Sequence, residues 1–365
     1  MTTRGPDLLV VGGGPAGLST AIAARRAGLA VQLIDSSRPP IDKACGEGIM
    51  PEGVALLEKL GVEIAAADRF AFKGIRWIDG EVTAEARLPG SAGWGVRRPV
   101  LHAAMVERAH ACGVELCWGV TAKGLTGEGV VTGDGLLQAR YIVAADGLRS
   151  RFRREAGLEG PPARRRRLGL RRHYTVAPWT DHVEVHWSDG AEAYVTPLSE
   201  SLVGVAMLFE DLPAEFDLLL SRFPALAARV SSASAGSTDR GAGPLEQHAR
   251  AVVSGRLALV GDAAGDVDAI TGEGLSLAMH DAFAVTEAIL KDDLSSYAAA
   301  HRRAVRLPDL LTRMLLAVER RPRLRRGLIR ALSGDVSLFP ALLALHVRSL
   351  ESRDPASGTA FAGML

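Results

Sequence analysis

Residues Leu8-Leu9-Val10-Val11-Gly12-Gly13-Gly14-Pro15-Ala16-Gly17 decide how this chain begins to fold. Leu8 to Val11 is a short, wholly apolar run, as expected of a strand covered on both faces. It leads straight into the spacing Gly12-x-Gly14-x-x-Gly17. Leu18, Ala21, Ile22, Ala24 and Ala27 then recur at helical spacing, Gly28 closes the helix, and a second strand spans Ala30 to Ile34. The unit is β-α-β. Gly12 permits the tight turn, Gly14 lets the backbone approach a pyrophosphate, and Gly17 allows close helix-to-strand packing. Pro15 and Ala16 open the helix, whose free N–H groups and partial positive charge suit a diphosphate. Asp35 ends the second strand, where its carboxylate can accept from both hydroxyls of an adenosine ribose and disfavours a 2′-phosphate. A dinucleotide is the expected ligand.

The chain has 365 residues, 47% of them hydrophobic, and a net charge of +1. That is enough apolar material for a substantial core, without a run long enough to span a bilayer, so a soluble globular enzyme is expected. The charge balance gives no electrostatic reason to invoke nucleic acid. Arginine runs at 151–154, 164–167 and 320–326 read as solvated surface, because like charges avoid cores. Cys45, Cys112 and Cys117 form neither a disulfide framework nor a metal motif, and the N-terminus lacks the pattern of a signal peptide; a cytoplasmic location and no metal are expected.

Two later segments choose between dinucleotides. The apolar strand Tyr141 to Ala145 ends in Asp146-Gly147, and Arg256 to Val260 runs into Gly261-Asp262-Ala263-Ala264-Gly265, followed by Ile270-Thr271-Gly272-Glu273-Gly274-Leu275. This ordered set resembles the FAD-dependent superfamily of para-hydroxybenzoate hydroxylase-like monooxygenases and geranylgeranyl reductases, over most of residues 7 to 290. The resemblance implies an α/β fold: a Rossmann-like FAD-binding domain (GR2-type), an inserted antiparallel-sheet substrate domain and C-terminal helices. The boundaries expected are 1–70, 93–160 and 251–292 for the FAD-binding domain, 71–92 and 161–250 for the substrate domain, and 293–365 for the terminal helices. By the same resemblance Asp262 hydrogen-bonds the ribityl chain of FAD and Asp146 lies near the pyrophosphate. A helix beginning near Gly274 aims its N-terminal donors at the flavin. The run Gly95-Val96-Arg97-Arg98-Pro99-Val100-Leu101 looks like the family's Arg-x-x-Leu segment, so Arg98, or else Arg97, is expected at the cofactor. Ala269 departs from the Pro common in relatives.

On the substrate side, Lys43-Ala44-Cys45-Gly46-Glu47-Gly48 precedes a helix at Val54 to Leu60 and looks like the Cys-Gly loop of geranylgeranyl-reductase-like flavoproteins. Cys45 and Gly46 are therefore candidate flavin contacts. Cys45 is also a candidate proton donor or covalent tether, against the alternative of a small packed thiol. Alternating segments at Leu168 to Val176, His182 to Trp187, Ala191 to Pro197 and Leu202 to Phe209 predict an antiparallel sheet, followed by a helix from Pro213 to Phe223. Tyr194 either lines the substrate pocket as a catalytic candidate or is a packed strand aromatic. His173, His182 and His186 lie in the same sheet. The Leu- and Arg-rich tail, Leu307 to Leu350, predicts amphipathic helices that pack on the domains or dock on anionic lipid or a carrier. Ser352 to Leu365 is expected to be mobile.

Without a second strand-GxGxxG-helix unit, NAD(P)H is expected only as a transient reductant. The leading expectation is a monooxygenase acting on a lipophilic aromatic or polyketide-like molecule. The alternatives are a reductase of isoprenoid double bonds and a non-catalytic electron carrier. The absence of a Trp-x-Trp pair argues against a halogenase.

Overall fold

All four residues of Leu8–Val11 (β1) are buried, and this strand becomes the middle of a sheet. It pairs in parallel with Val31–Asp35 (β2) on one side and Tyr141–Ala144 (β12) on the other. Glu115–Trp118 (β8), Leu257–Leu259 (β20) and Val253–Ser254 (β19) complete the order β19-β20-β12-β1-β2-β8, numbered along the chain. Helices Pro15–Arg26 (α1), Arg98–Ala111 (α3) and Gly274–Leu290 (α7) pack together beside it. A small three-stranded sheet of Gly124–Leu125 (β9), Val130–Val131 (β10) and Leu136–Leu137 (β11) is inserted after β8, and Arg151–Glu155 (α4) follows β12. The computed structural model describes residues 5–335 and 337–351, so the Ser352 to Leu365 stretch lies outside the described residues.

The substrate half is a second sheet. Leu168–Thr175 (β13), His182–Ser188 (β14), Ala191–Ser199 (β15) and Leu202–Phe209 (β16) match the expected strands closely. They join Gly74–Asp79 (β5) and Val82–Arg87 (β6) in the order β17-β13-β16-β15-β14-β5-β6, where β17 is Ser234–Ala235; Arg240–Ala242 (β18) also pairs with β13. The sheet is mixed rather than antiparallel, because β14 runs parallel to β5 with His182 opposite Gly74. A side chain at 74 would overlap the His182 ring, so the glycine makes that seam possible. Of the helix expected over 213–223 only Phe216–Leu220 (α5) forms, and a second short helix, Pro224–Val230 (α6), follows it. Pro224 disfavours helical backbone at Phe223 and restarts the helix. Both cover one sheet face through Phe216, Leu219, Phe223 and Leu226.

Gly48–Ile49 (β3), Arg69–Phe72 (β4) and Gly93–Val96 (β7) form a second small sheet that joins the two halves. Gly95 of β7 lies so close to the Pro197 carbonyl of β15 that any side chain would overlap it. Pro51–Leu60 (α2) follows the Cys-Gly loop and packs against α7. The tail forms Leu294–Glu319 (α8), Pro322–Gly334 (α9) and Leu338–Glu351 (α10). Ile329, Leu332 and Phe339 close a core with Met50, Trp77 and Trp187, each large side chain contributing about 1.5–3 kcal/mol when removed from water.

The arginine runs are not wholly solvated. Arg153, Arg167 and Arg325, one from each run, are among the most deeply buried side chains, as is Arg171. Each finds partners far away in the chain: Arg167 meets Glu192 and Asp268, Arg325 meets Asp79 at 2.7 Å, and Arg153 meets the carbonyls of Asp262 and Ala263. A buried guanidinium is tolerable only with such acceptors, and local sequence does not reveal them.

Candidate active site

The turn at Gly12 to Gly17 closes on itself. Gly12 has φ +112°, and a Cβ there would overlap the Ala145 carbonyl; a Cβ at Gly17 would overlap the Gly12 carbonyl. Gly14 is different: its added Cβ would find only an Arg98 guanidinium nitrogen, at 4.0 Å. Two glycines thus serve packing, while the third borders open space at the start of α1. Asp35 takes backbone N–H bonds from Gly13 at 2.6 Å and Ser37 at 2.7 Å. Those bonds orient its carboxylate at the end of β2, and each oxygen retains a second lone pair for a ribose hydroxyl.

Two residues that sequence reading missed complete this wall. Trp118 is paired with Asp35 across β2 and β8, and its ring packs on Gly13. His102 is fully buried on α3, with Nε2 2.8 Å from the Gly13 carbonyl and Nδ1 3.3 Å from the Ile41 N–H. Burial lowers its pKa, outweighing the bond to Gly13, so the neutral ring donates to Gly13 and accepts from Ile41. The parallel β2–β8 pairing was the available signal for Trp118. His102 carried none, since a lone helical His reads as packing.

Across the cleft, Gly261 is held by its N–H to Asp281 at 3.1 Å and sits against Ala16, bringing the Gly-Asp-Ala-Ala turn onto the start of α1. Asp262 is hemmed in by protein but keeps an open face on the cleft. Burial raises its pKa, against the pull of Arg98, Lys43 and Arg153. Gly272 adopts a left-handed conformation, φ +70°, and Gly274 begins α7; added Cβ atoms at either meet nothing within 4 Å. The free N–H groups of the first turn of α7 therefore border the same opening, with Glu273 buried and Leu275 half-buried beside them.

Arg98 donates its backbone N–H to Glu47 at 2.7 Å, and its side chain reaches the edge of Gly14. The buried Nε atoms of Arg97 and Arg98 have no hydrogen-bond partner among the described residues. Open glycine faces, two helix N-termini and partnerless arginine nitrogens fit FAD: Gly14, Pro15, Ala16 and Arg98 would hold its diphosphate, Asp35 its ribose, and Asp262 its ribityl chain. Asp146 adjoins Gly12; its Oδ2 accepts from Arg151 and Phe152 at 2.8 and 3.2 Å and caps α4, while its buried Oδ1 has no hydrogen-bond partner among the described residues.

The Cys-Gly loop bridges the two halves. Thr196 of β15 donates to the Gly46 carbonyl at 2.8 Å. Glu47, with φ +59° and almost fully buried, accepts from the Arg98 N–H through Oε1 and contacts His173 Nε2 at 2.5 Å through Oε2. His173 in turn meets Ser237 at 2.7 Å and Arg171, which pairs with Asp42. Left-handed backbone at a non-glycine residue is costly, and these contacts hold it in place. The Glu47 N–H donates to Cys45 Sγ at 3.3 Å, so the half-exposed thiol is oriented by its own loop.

Tyr194 is placed as a strut: its hydroxyl donates to the Ile270 carbonyl at 2.9 Å, and burial together with Glu192 pushes its pKa well up. It fastens the turn before Gly272 and has no idle hydroxyl. His182 and His186 are paired with Asp181 and Glu184. Asp268, which caps Ile270, is clamped by Arg167 at 2.7 Å. A separate cavity of about 400 Å³ adjoins Gly265 and Asp266, lined by His301 and Asp309, and does not include Asp262 or the glycine turn.

Comparison with known proteins agrees with this geometry. The family model described as an FAD binding domain matches residues 6–187. The chain is 29% identical over 326 residues to a menaquinone reductase of Mycobacterium tuberculosis, covering 79% of this chain and 78% of that one. It is 29% identical over 373 residues to 6-methylpretetramide 4-monooxygenase of Streptomyces rimosus, covering 86% and 85%. The crystal structure of a geranylgeranyl bacteriochlorophyll reductase-like protein of Thermoplasma acidophilum superimposes with a TM-score of 0.77 at 19% identity, covering 96% and 99%. The chain is an FAD-dependent oxidoreductase and belongs to the superfamily of para-hydroxybenzoate hydroxylase-like monooxygenases and geranylgeranyl reductases.

Proposed function

We propose that this protein reduces a carbon–carbon double bond of a lipophilic, isoprenoid-bearing small molecule. The observation that supports this reading is the Cys-Gly-Glu-Gly loop, held by Thr196 and by the Arg98 N–H, with Cys45 as a half-exposed protic group within it. The other catalytic candidate, Tyr194, is committed to Ile270. FAD held by Gly14, Arg98, Asp35 and Asp262 would, with NAD(P)H as a transient reductant, supply a hydride equivalent for one olefinic carbon. Cys45 gives its Sγ proton to the other, and the thiolate regains a proton from water; the Glu47 N–H stabilises the sulfur while it is anionic. The relative named menaquinone reductase supports a reductase. The relative named 6-methylpretetramide 4-monooxygenase supports the second reading, oxygen insertion into an aromatic substrate.

One experiment separates them. The flavoprotein is reduced without oxygen and mixed with a prenylated quinone, and flavin reoxidation and product mass are followed. The expected result is reoxidation under nitrogen and a product that stays two hydrogens heavier after its quinone ring has been reoxidised in air, which places the hydrogens on the prenyl chain. Cys45→Ala should slow that step by about 10²-fold or more while leaving FAD content unchanged. Reoxidation that needs O2, with one oxygen atom gained by the substrate, would establish the monooxygenase instead.

A further inference from the structure

The outer face of α8 breaks the ordinary rule for a surface helix. Its inward side is already satisfied, with His301, Pro308, Thr312 and Leu316 buried. At about 100° per residue, Arg302, Arg303, Arg306, Leu310, Arg313 and Met314 share an outward arc about 120° wide. All six are exposed. Leu310 and Met314 stand 53% and 57% open in the middle of four arginines, none of which has an acid within salt-bridge distance among the described residues. From 302 to 331 no acidic side chain is exposed, for Asp309 is half-buried and Glu319 is buried. Helix α9 continues the pattern with exposed Arg323, Leu324 and Arg330. The whole chain carries only +1, so these cations are a local concentration.

We infer that this face docks the protein on a bilayer surface bearing anionic phospholipid. Guanidinium groups match the headgroup phosphates, while Leu310, Met314 and Leu324 enter the headgroup–acyl boundary. A polyanion such as nucleic acid would reward the arginines and leave the apolar side chains wet. No single helix among the described residues is long and apolar enough to cross a membrane, and α9 with the first half of α10 is so only as a pair bent by 102°; the attachment inferred here is peripheral. The face is also well placed: α8 packs on the Ala269–Thr271 turn and α9 on β5 and β6 of the substrate sheet. Docking there sets the cleft beside a reservoir of lipophilic molecules. The inference stands on the surface alone and does not depend on which reaction the cleft performs.

The test is co-sedimentation of the full-length, FAD-loaded protein with phosphatidylcholine vesicles, with and without about 30% phosphatidylglycerol, at low and high salt. Binding is expected on the anionic vesicles only, weakening as salt rises. Removing two arginines (R306Q with R313Q) should weaken it about 25-fold, at roughly fivefold for each. Leu310→Ser with Met314→Ser should weaken it about tenfold even at low salt. These positions are exposed, and flavin absorbance per chain verifies that each variant is folded. Equal binding to neutral and anionic vesicles, or binding indifferent to both variants, would overturn the inference. So would retention by an acidic carrier protein without vesicle binding, which would assign the face to a protein partner.

Discussion

Around Gly12 to Gly17 the cleft wall is made by backbone meeting backbone, and the side chains that matter are mostly absent ones. Around Asp268 to Gly274, on the facing wall, the backbone is held from behind by long polar side chains: Arg167 grips Asp268, Tyr194 reaches Ile270, and Glu192 and Glu319 surround the same guanidinium. The first wall is built by steric fit, Gly17 against Gly12 within the turn and Gly12 against Ala145 across the sheet. The second depends on residues 51 to 101 positions from Asp268 in the chain and on charges removed from water. Steric fit tolerates little change of volume, whereas a buried charge network tolerates little change of charge.

The comparison breaks most visibly at Arg167. Arg167→Met leaves Glu192 and Asp268 buried without their cation, Glu319 keeping Arg165 at 3.3 Å, and should cost about 3–5 kcal/mol in denaturant unfolding. Adding Glu192→Leu should recover part of that loss. A single-variant loss below about 1 kcal/mol would show that the network does not hold the turn. Gly17→Ala, on the opposite wall, should destabilise by about 1–3 kcal/mol through overlap with the Gly12 carbonyl. FAD titration should show binding lost or severely weakened, and normal affinity would mean the turn can relax.

A smaller effect comes from pH. In the unfolded chain Glu192 ionises near its ordinary 4.5; in the folded protein burial pushes it up to about 8, despite the opposing pull of Arg167. The folded state then holds more protons between those values, so this residue's contribution to stability falls as pH rises from about 4.5 to about 8 and is level above. Thermal unfolding across that range should show Glu192→Gln with a flatter pH dependence than the native protein. Identical slopes would remove Glu192 as their source. The smallest expected effect is Gly274→Ala, whose Cβ enters open space. Stability should change by no more than about 1 kcal/mol, yet FAD should bind more weakly. Unchanged FAD affinity would place the flavin away from the start of α7.

The Cys-Gly loop lies between these extremes. Its motif was legible, and so was Cys45 as a candidate. Glu47 was in plain view in the same segment, but its importance comes from His173, 126 residues away, and from the Arg98 N–H. The resemblance assigned Asp146 to the pyrophosphate region; the structure sets it beside Gly12, with Oδ2 capping α4 and Oδ1 without a partner among the described residues.

Sequence by itself determined the β-α-β unit, the FAD assignment and the strands of the substrate sheet. The β-α-β unit and the strands rest on interactions within a few residues, namely apolar periodicity, the conformations open to glycine and an acid at a strand end, whereas FAD was implied by the resemblance that the ordered motifs at Gly12, Asp146 and Gly261 carry. Tertiary structure alone decided which arginines leave water, that β14 pairs in parallel with β5, and that Tyr194 is a strut. A guanidinium is stable in the interior only when carboxylates or carbonyls from elsewhere converge on it, and that convergence belongs to the folded chain rather than to any window of its sequence.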